Sequence, residues 1–132
     1  MKLEKLIISI LMFCLTGIPA IFKLNHAFPP EWFLTKFKGS PIDWVPSGIV
    51  IAYVIIVALE AIIALLFMIS ILKMEFKDGS TPSFGKWAFQ GSLILFVILF
   101  FGNFSIQNYE GGFQDFMYFI GVYLLMERYL KN

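Results

Sequence analysis

The stretch VPSGIVIAYVIIVALEAIIALLFMISIL, Val45 to Leu72, runs for 28 residues with a single charge, Glu60. A run of about 18 or more apolar residues reads as a membrane-spanning helix. At about 1.5 Å per residue this one is longer than a hydrocarbon layer of about 30 Å, so it must tilt or project beyond the membrane. Working outward, Leu6 to Phe22 is a second span, preceded by Lys2 and Lys5. A basic start before an apolar stretch also describes a secretory signal. This run exceeds the usual length, however, and its small residues lead into Lys23 and His26 instead of a cleavage site, so it reads as a retained span. Pro19, two residues after Gly17, removes a backbone donor and is expected to kink its outer end. Trp87 to Phe104 and Phe113 to Leu130 complete the set. Gln114, Asp115, Glu127 and Arg128 narrow the charge-free part of the last span to Phe116–Met126, 11 residues. That helix is expected to lie against the others and snorkel its ends to water.

The totals agree with this reading. Of 132 residues, 59% are hydrophobic and 14% charged, where soluble domains average roughly 45–50% and about 25%. Four spans of about 20 residues fit this length and six do not. The same totals exclude several functions. Cys14 is the only cysteine, which rules out an internal disulfide or a Cys-x-x-Cys relay. His26 is the only histidine, so a bis-histidine haem or multi-histidine metal site cannot form, and no metal is assigned. A net charge of +1 offers no basic field for nucleic acid. So sparse a chemistry argues against a stand-alone enzyme.

Basic residues in the flanks set the orientation. Lys2, Lys5, Lys73, Lys77, Lys86, Arg128 and Lys131 fall on one side; Lys23, Lys36 and Lys38 fall on the other. Both termini are therefore expected in the cytoplasm, in an integral protein of a bacterial inner membrane. The connection Lys73 to Lys86 is rich in turn formers, whereas the outer stretch Lys23 to Trp44 interleaves aromatic residues with charges. Within it, residues 29–39 suit a short interfacial amphipathic helix. Pro30 stands in its first turn, Trp32, Phe33 and Phe37 in the headgroup layer, Glu31, Lys36 and Lys38 toward water, and Gly39 with Pro41 at its end. No repeat or second domain is visible, so residues 1–132 read as one membrane domain.

Glu60 is the sharpest candidate for chemistry. An ionisable residue in mid-span costs about 2.5–3.5 kcal/mol by insertion scales unless it is paired, hydrated or protonated. The four span midpoints fall near Cys14, Leu59, Leu95 and Gly121, which places Cys14, Ser92 and Tyr123 closest in height to Glu60. None is cationic, so a protonated carboxyl donating to a hydroxyl or carbonyl, or one lining a small polar cavity, is expected. A second polar group is expected at the outer rim: Lys23 and His26, then Asn103, Ser105, Gln107 and Asn108, then Glu110, Gln114 and Asp115. There Lys23 suits an ion pair with Asp115 or Glu110. Trp32, Trp44, Trp87, Tyr109 and Tyr129 read as interfacial anchors. Gly17, Ala20, Ala58, Ala61 and Gly121 read as sites of close helix approach, and Cys14 as a small buried packing residue.

Ala20-Ile-Phe-Lys23-Leu24, the outer stretch closing on Phe37-Lys-Gly-Ser-Pro41, Glu60 within the second span, and Glu110-Gly111-Gly112-Phe113 before the last span together resemble the DoxX-like membrane proteins. Ala20 stands where that family usually has glycine, and the arginine that often opens the first span is replaced by Lys5 or has no counterpart. Position by position, the resemblance selects Lys23 and Glu60. It implies a four-helix membrane fold, and activities as varied as subunits of thiosulfate:quinone oxidoreductase, sterol isomerases and cargo receptors. The expected function is a non-catalytic small subunit or accessory protein of a larger membrane assembly, of the kind that includes quinone-linked oxidoreductases. Membrane lipid and other membrane subunits are its expected partners, it holds no cofactor of its own, and any quinone comes through a partner. The alternative is an intramembrane site for a quinone, sterol or lipid, with Glu60 as proton acceptor or hydrogen-bond donor.

Overall fold

The computed structural model describes residues 2–25, 29–77 and 79–131. These form α1 (Lys2–Leu24), α2 (Glu31–Phe37), a 3-10 turn (Pro41–Trp44), α3 (Gly48–Leu72), α4 (Ser83–Ser105) and α5 (Tyr109–Lys131), with no strand among the described residues. α1, α3 and α4 are each long and apolar enough to cross a membrane, which makes this an integral membrane protein. α5 matches α4 in length, 23 residues, but carries Glu110, Asp115, Glu127, Arg128 and Lys131.

α3 is central and packs against α1 on one side and α4 on the other; α5 packs along α4 and meets α1. The inward face of α3 is Ile49, Tyr53, Ile56, Val57, Glu60, Ile63, Ala64, Phe67 and Ser70. Its outward residues Ile51, Val54, Ile55, Ile62 and Leu65 are equally apolar. A helix apolar on every face has no water-facing side, the pattern expected of a span in lipid. Buried hydroxyls bond back along their own helices, Thr16 Oγ1 to the Met12 carbonyl at 3.0 Å and Ser92 Oγ to the Ala88 carbonyl at 2.9 Å, which satisfies them where water is absent.

Two helices end in the same way. α3 closes with the Met74 amide on the Ile71 carbonyl and the Glu75 amide on the Ser70 carbonyl; α4 closes with the Gln107 amide on the Phe104 carbonyl and the Asn108 amide on the Asn103 carbonyl. These are Schellman endings, and each places a residue in the left-handed region, Met74 at φ 57° and Gln107 at φ 60°. In each case the next residue then caps the following helix. Glu75 accepts from the amides of Phe84 and Gly85 at 3.2 and 3.0 Å, and Asn108 Oδ1 accepts from the Gly111 amide at 3.2 Å. Pro82 precedes α4 and has no side-chain oxygen to offer, so the Glu75 carboxylate supplies both the acceptor and the negative charge that a helix N-terminus favours.

Several boundaries and faces differ from expectation. The long apolar run does not become helical at Val45: Trp44 ends the 3-10 turn, Ser47 is left-handed at φ 57°, and the helix begins at Gly48. α4 begins at Ser83, one turn before Trp87, because Glu75 caps it there. Phe33 and Phe37 turn toward the other helices, with Phe33 4.8 Å from the Tyr53 ring centre, while Trp32 stays exposed. Tyr129, expected as an interfacial anchor, is fully buried; Cys14, expected to be buried, faces outward. Gly17 does meet Ala64 closely, but nothing packs against Gly121.

Candidate functional site

Lys23, in the last turn of α1, places its Nζ 2.8 Å from Oε1 of Glu60 on α3. This overturns the expectation that nothing cationic reaches Glu60. Helix midpoints were the wrong measure. Cα–Cβ bonds tilt toward a helix N-terminus, so on antiparallel helices Lys23 leans back toward the start of α1 and Glu60 toward the start of α3, and the two close a gap that their backbones leave open. The expected Lys23 pair with Asp115 or Glu110 is likewise replaced: Glu110 is exposed, and Asp115 Oδ2 accepts from Asn103 Nδ2 at 2.6 Å. Asn103 Oδ1 in turn accepts from Asn108 Nδ2 at 3.1 Å, so one chain of amides ties the end of α4 to the start of α5.

Of the other candidates, Ser92 bonds its own helix and Tyr123 lies exposed on α5, so neither meets Glu60. His26 lies outside the described residues. Glu60 is 5% exposed, and its second oxygen, Oε2, is buried with no donor among the described residues.

Above this pair α2 acts as a roof. Phe33 packs on Tyr53 of α3, and Phe37 lies over Gly102 of α4, where a Cβ would come 3.7 Å from its ring. Between roof and helices is a cavity of about 150 Å³. Its walls are apolar, including Phe33, Phe37, Ile56 and Leu99, and its polar groups are Lys23, Lys36, Tyr53 and Asn103. Lys23 therefore has two roles in the geometry: it lines this cavity and it holds Glu60.

At the opposite end a second polar group closes the fold. Lys5, Ser9, Ser70, Glu75 and Tyr129 are all buried, contributed by α1, α3, the α3–α4 connection and α5. Ser70 Oγ donates to Glu75 Oε1 at 2.9 Å and lies 3.2 Å from the Tyr129 hydroxyl; Lys5 Nζ stands 5.6 Å from the Tyr129 ring centre. None of these was singled out in sequence as a site. The only signals were a lysine one turn inside α1 and a glutamate just before the run of turn formers.

Comparison with known proteins finds no matching family model, no matching curated protein and no matching solved structure.

Proposed function

We propose that this chain is a small four-span membrane protein of DoxX-like type that holds one ring of a quinone- or sterol-like amphiphile beneath α2. The observation that carries this reading is the cavity of about 150 Å³ whose wall includes the same Lys23 that grips Glu60. Apolar cavities of about 150 Å³ take up one benzene-sized ring. Lys23 has three donors and gives one to Glu60, so it can offer another to a ring oxygen, with Tyr53 and Asn103 also in the wall. Buried Glu60 Oε2 is an acceptor for a hydroxyl or a proton.

The four-span architecture is supported by α5. It meets α4 at both ends, through Asn103–Asp115 and through Gly85 against Tyr129, so it runs the full depth of a helix that itself spans. In this arrangement both termini face the cytoplasm and α2 lies at the outer interface. Cysteines placed singly in a Cys14→Ser background test it. A membrane-impermeant maleimide should label Lys38→Cys and Gln107→Cys from outside intact cells, and Ser80→Cys only after permeabilisation. Labelling of Gln107→Cys from the same side as Ser80→Cys removes α5 as a span.

Ligand extraction from protein purified in mild detergent, followed by mass spectrometry, tests the site. A ring-bearing lipid should co-purify with the wild type and be lost from Lys23→Met. The accessory-subunit reading is favoured by a separate observation, the exposure of Gln114, Tyr118 and Tyr123 along α5. Polar groups on a lipid-facing helix gain from cover by another protein. Stoichiometric co-purifying membrane subunits, with no bound lipid, would decide for it.

A further inference from the structure

We infer that the membrane-facing groove between α4 and α5 binds a single-chain amphiphile whose head is an ammonium. The groove encloses about 290 Å³ and is lined by Phe96, Val97, Phe100, Asp115, Phe116 and Phe119. Val97 and Phe116 are about half exposed, so it opens sideways to lipid. Asp115 is 9% exposed. Its Oδ2 takes the neutral Asn103 amide, no described residue donates to Oδ1, and no described cation forms an ion pair with it. Lys36 acts on it only at longer range. A carboxylate among phenyl rings is the combination that recognises an ammonium, since ring faces attract cations and the carboxylate supplies the counter-charge.

Depth decides the kind of amphiphile. Asp115 lies six residues into α5, about 9 Å inside its outer end, and the rings continue inward to Phe96, seven residues from Asn103 on α4 and about 10 Å away. An ammonium at Asp115 with its alkyl chain running inward along Phe100, Phe116 and Phe119 matches this layout. A phospholipid carries its ammonium outside its phosphate and would have to draw that phosphate below the interface. The groove lies on the other flank of α4 from the cavity under α2 and shares no lining residue with it. Asn103, which lines the cavity and donates to Asp115, is their hydrogen-bonded link, and because the two sites take different ligands, loss of either leaves the other standing.

The test uses the full chain in dodecyl maltoside, titrated with dodecylammonium or dodecanol, and reads native mass spectra and the thermal midpoint. One dodecylammonium should bind saturably and raise the midpoint, with dodecanol at least tenfold weaker. Asp115→Asn keeps an acceptor for Asn103 and should weaken dodecylammonium at least tenfold; Phe100→Leu with Phe119→Leu should weaken it several-fold by removing ring faces while keeping the groove apolar. Equal binding of dodecanol, or undiminished binding to Asp115→Asn, overturns the proposal. If Asp115→Asn does not fold, the phenylalanine variants decide, and an unchanged preference for ammonium over alcohol overturns it. Displacement by phosphatidylethanolamine at the potency of a single-chain amine overturns the assignment to a single-chain ligand.

Discussion

The ammonium of Lys23 and the carboxylate of Glu60, 2.8 Å apart, join the last turn of α1 to the middle of α3. The two ends of this pair are unequal: the Lys23 side chain is 25% exposed and that of Glu60 is 7% exposed. Lys23→Met leaves a buried carboxylate without its partner, which costs about 3–5 kcal/mol. Glu60→Gln leaves a lysine that can snorkel to the interface, and should cost about 1 kcal/mol. The double variant should recover most of the loss seen in Lys23→Met. Denaturant unfolding of the detergent-solubilised protein measures all three, and the reverse ranking would contradict the buried-pair account.

Glu75 does the work of a cap for a helix whose own preceding residue, Pro82, cannot. Glu75→Ala leaves the Phe84 and Gly85 amides and the Ser70 hydroxyl without their acceptor. Lost caps cost about 0.5–2 kcal/mol, and buried unsatisfied donors add to that, so about 2 kcal/mol is expected. Glu75→Gln keeps an acceptor oxygen and should lose roughly half as much. Equal stability of the alanine variant and wild type in thermal unfolding would show that α4 starts by other means.

Two glycines should respond in opposite ways to alanine. At Gly85 a Cβ would lie 2.5 Å from the Tyr129 hydroxyl oxygen and 2.9 Å from its ring carbons, with Tyr129 fully buried and held in place by Ser70. Gly85→Ala should destabilise by about 1–3 kcal/mol through overpacking. At Gly121 nothing lies within 4 Å, so Gly121→Ala should be neutral or raise stability by up to about 1 kcal/mol through helix propensity. Thermal midpoints of the two single variants separate these outcomes.

Met74 and Gln107 hold left-handed backbone without being glycine. That conformation costs an L-residue about 1–2 kcal/mol, and glycine adopts it without the steric penalty. Met74→Gly and Gln107→Gly should each stabilise by about 1 kcal/mol, and their effects should add, because they lie on separate connections at the ends of different helices. A loss of stability at either position would mean that its side chain contributes more than its backbone strain.

Three of the long helices were legible because their apolar runs exceed any core helix and need no partner to be recognised. α5 was legible as a helix, but the partner of its buried Asp115 was not, because Asn103 is a neighbour on another helix that composition cannot see. Lys23 and Glu60 were each visible as residues of interest, yet their pairing depends on side-chain direction across antiparallel helices, which depth along a sequence does not encode. The second polar group was less visible still: Lys5 and Tyr129 are far apart in the chain and meet only once α1 and α5 are neighbours. Cys14 faced the wrong way for the same reason, since a run apolar on every side carries no mark of which side is inward.

The contacts of α1 with α5 set an order on biosynthesis. Arg128 Nε reaches Glu4 across 124 residues, and Tyr129 lies under Lys5. While the chain is being made, α1 can already hold α3 through Lys23 and Glu60, but its other end has nothing to close on until the last turn of α5 has left the ribosome. Until then the burial of Lys5 is incomplete, and the closing of this end of the fold is timed by α5.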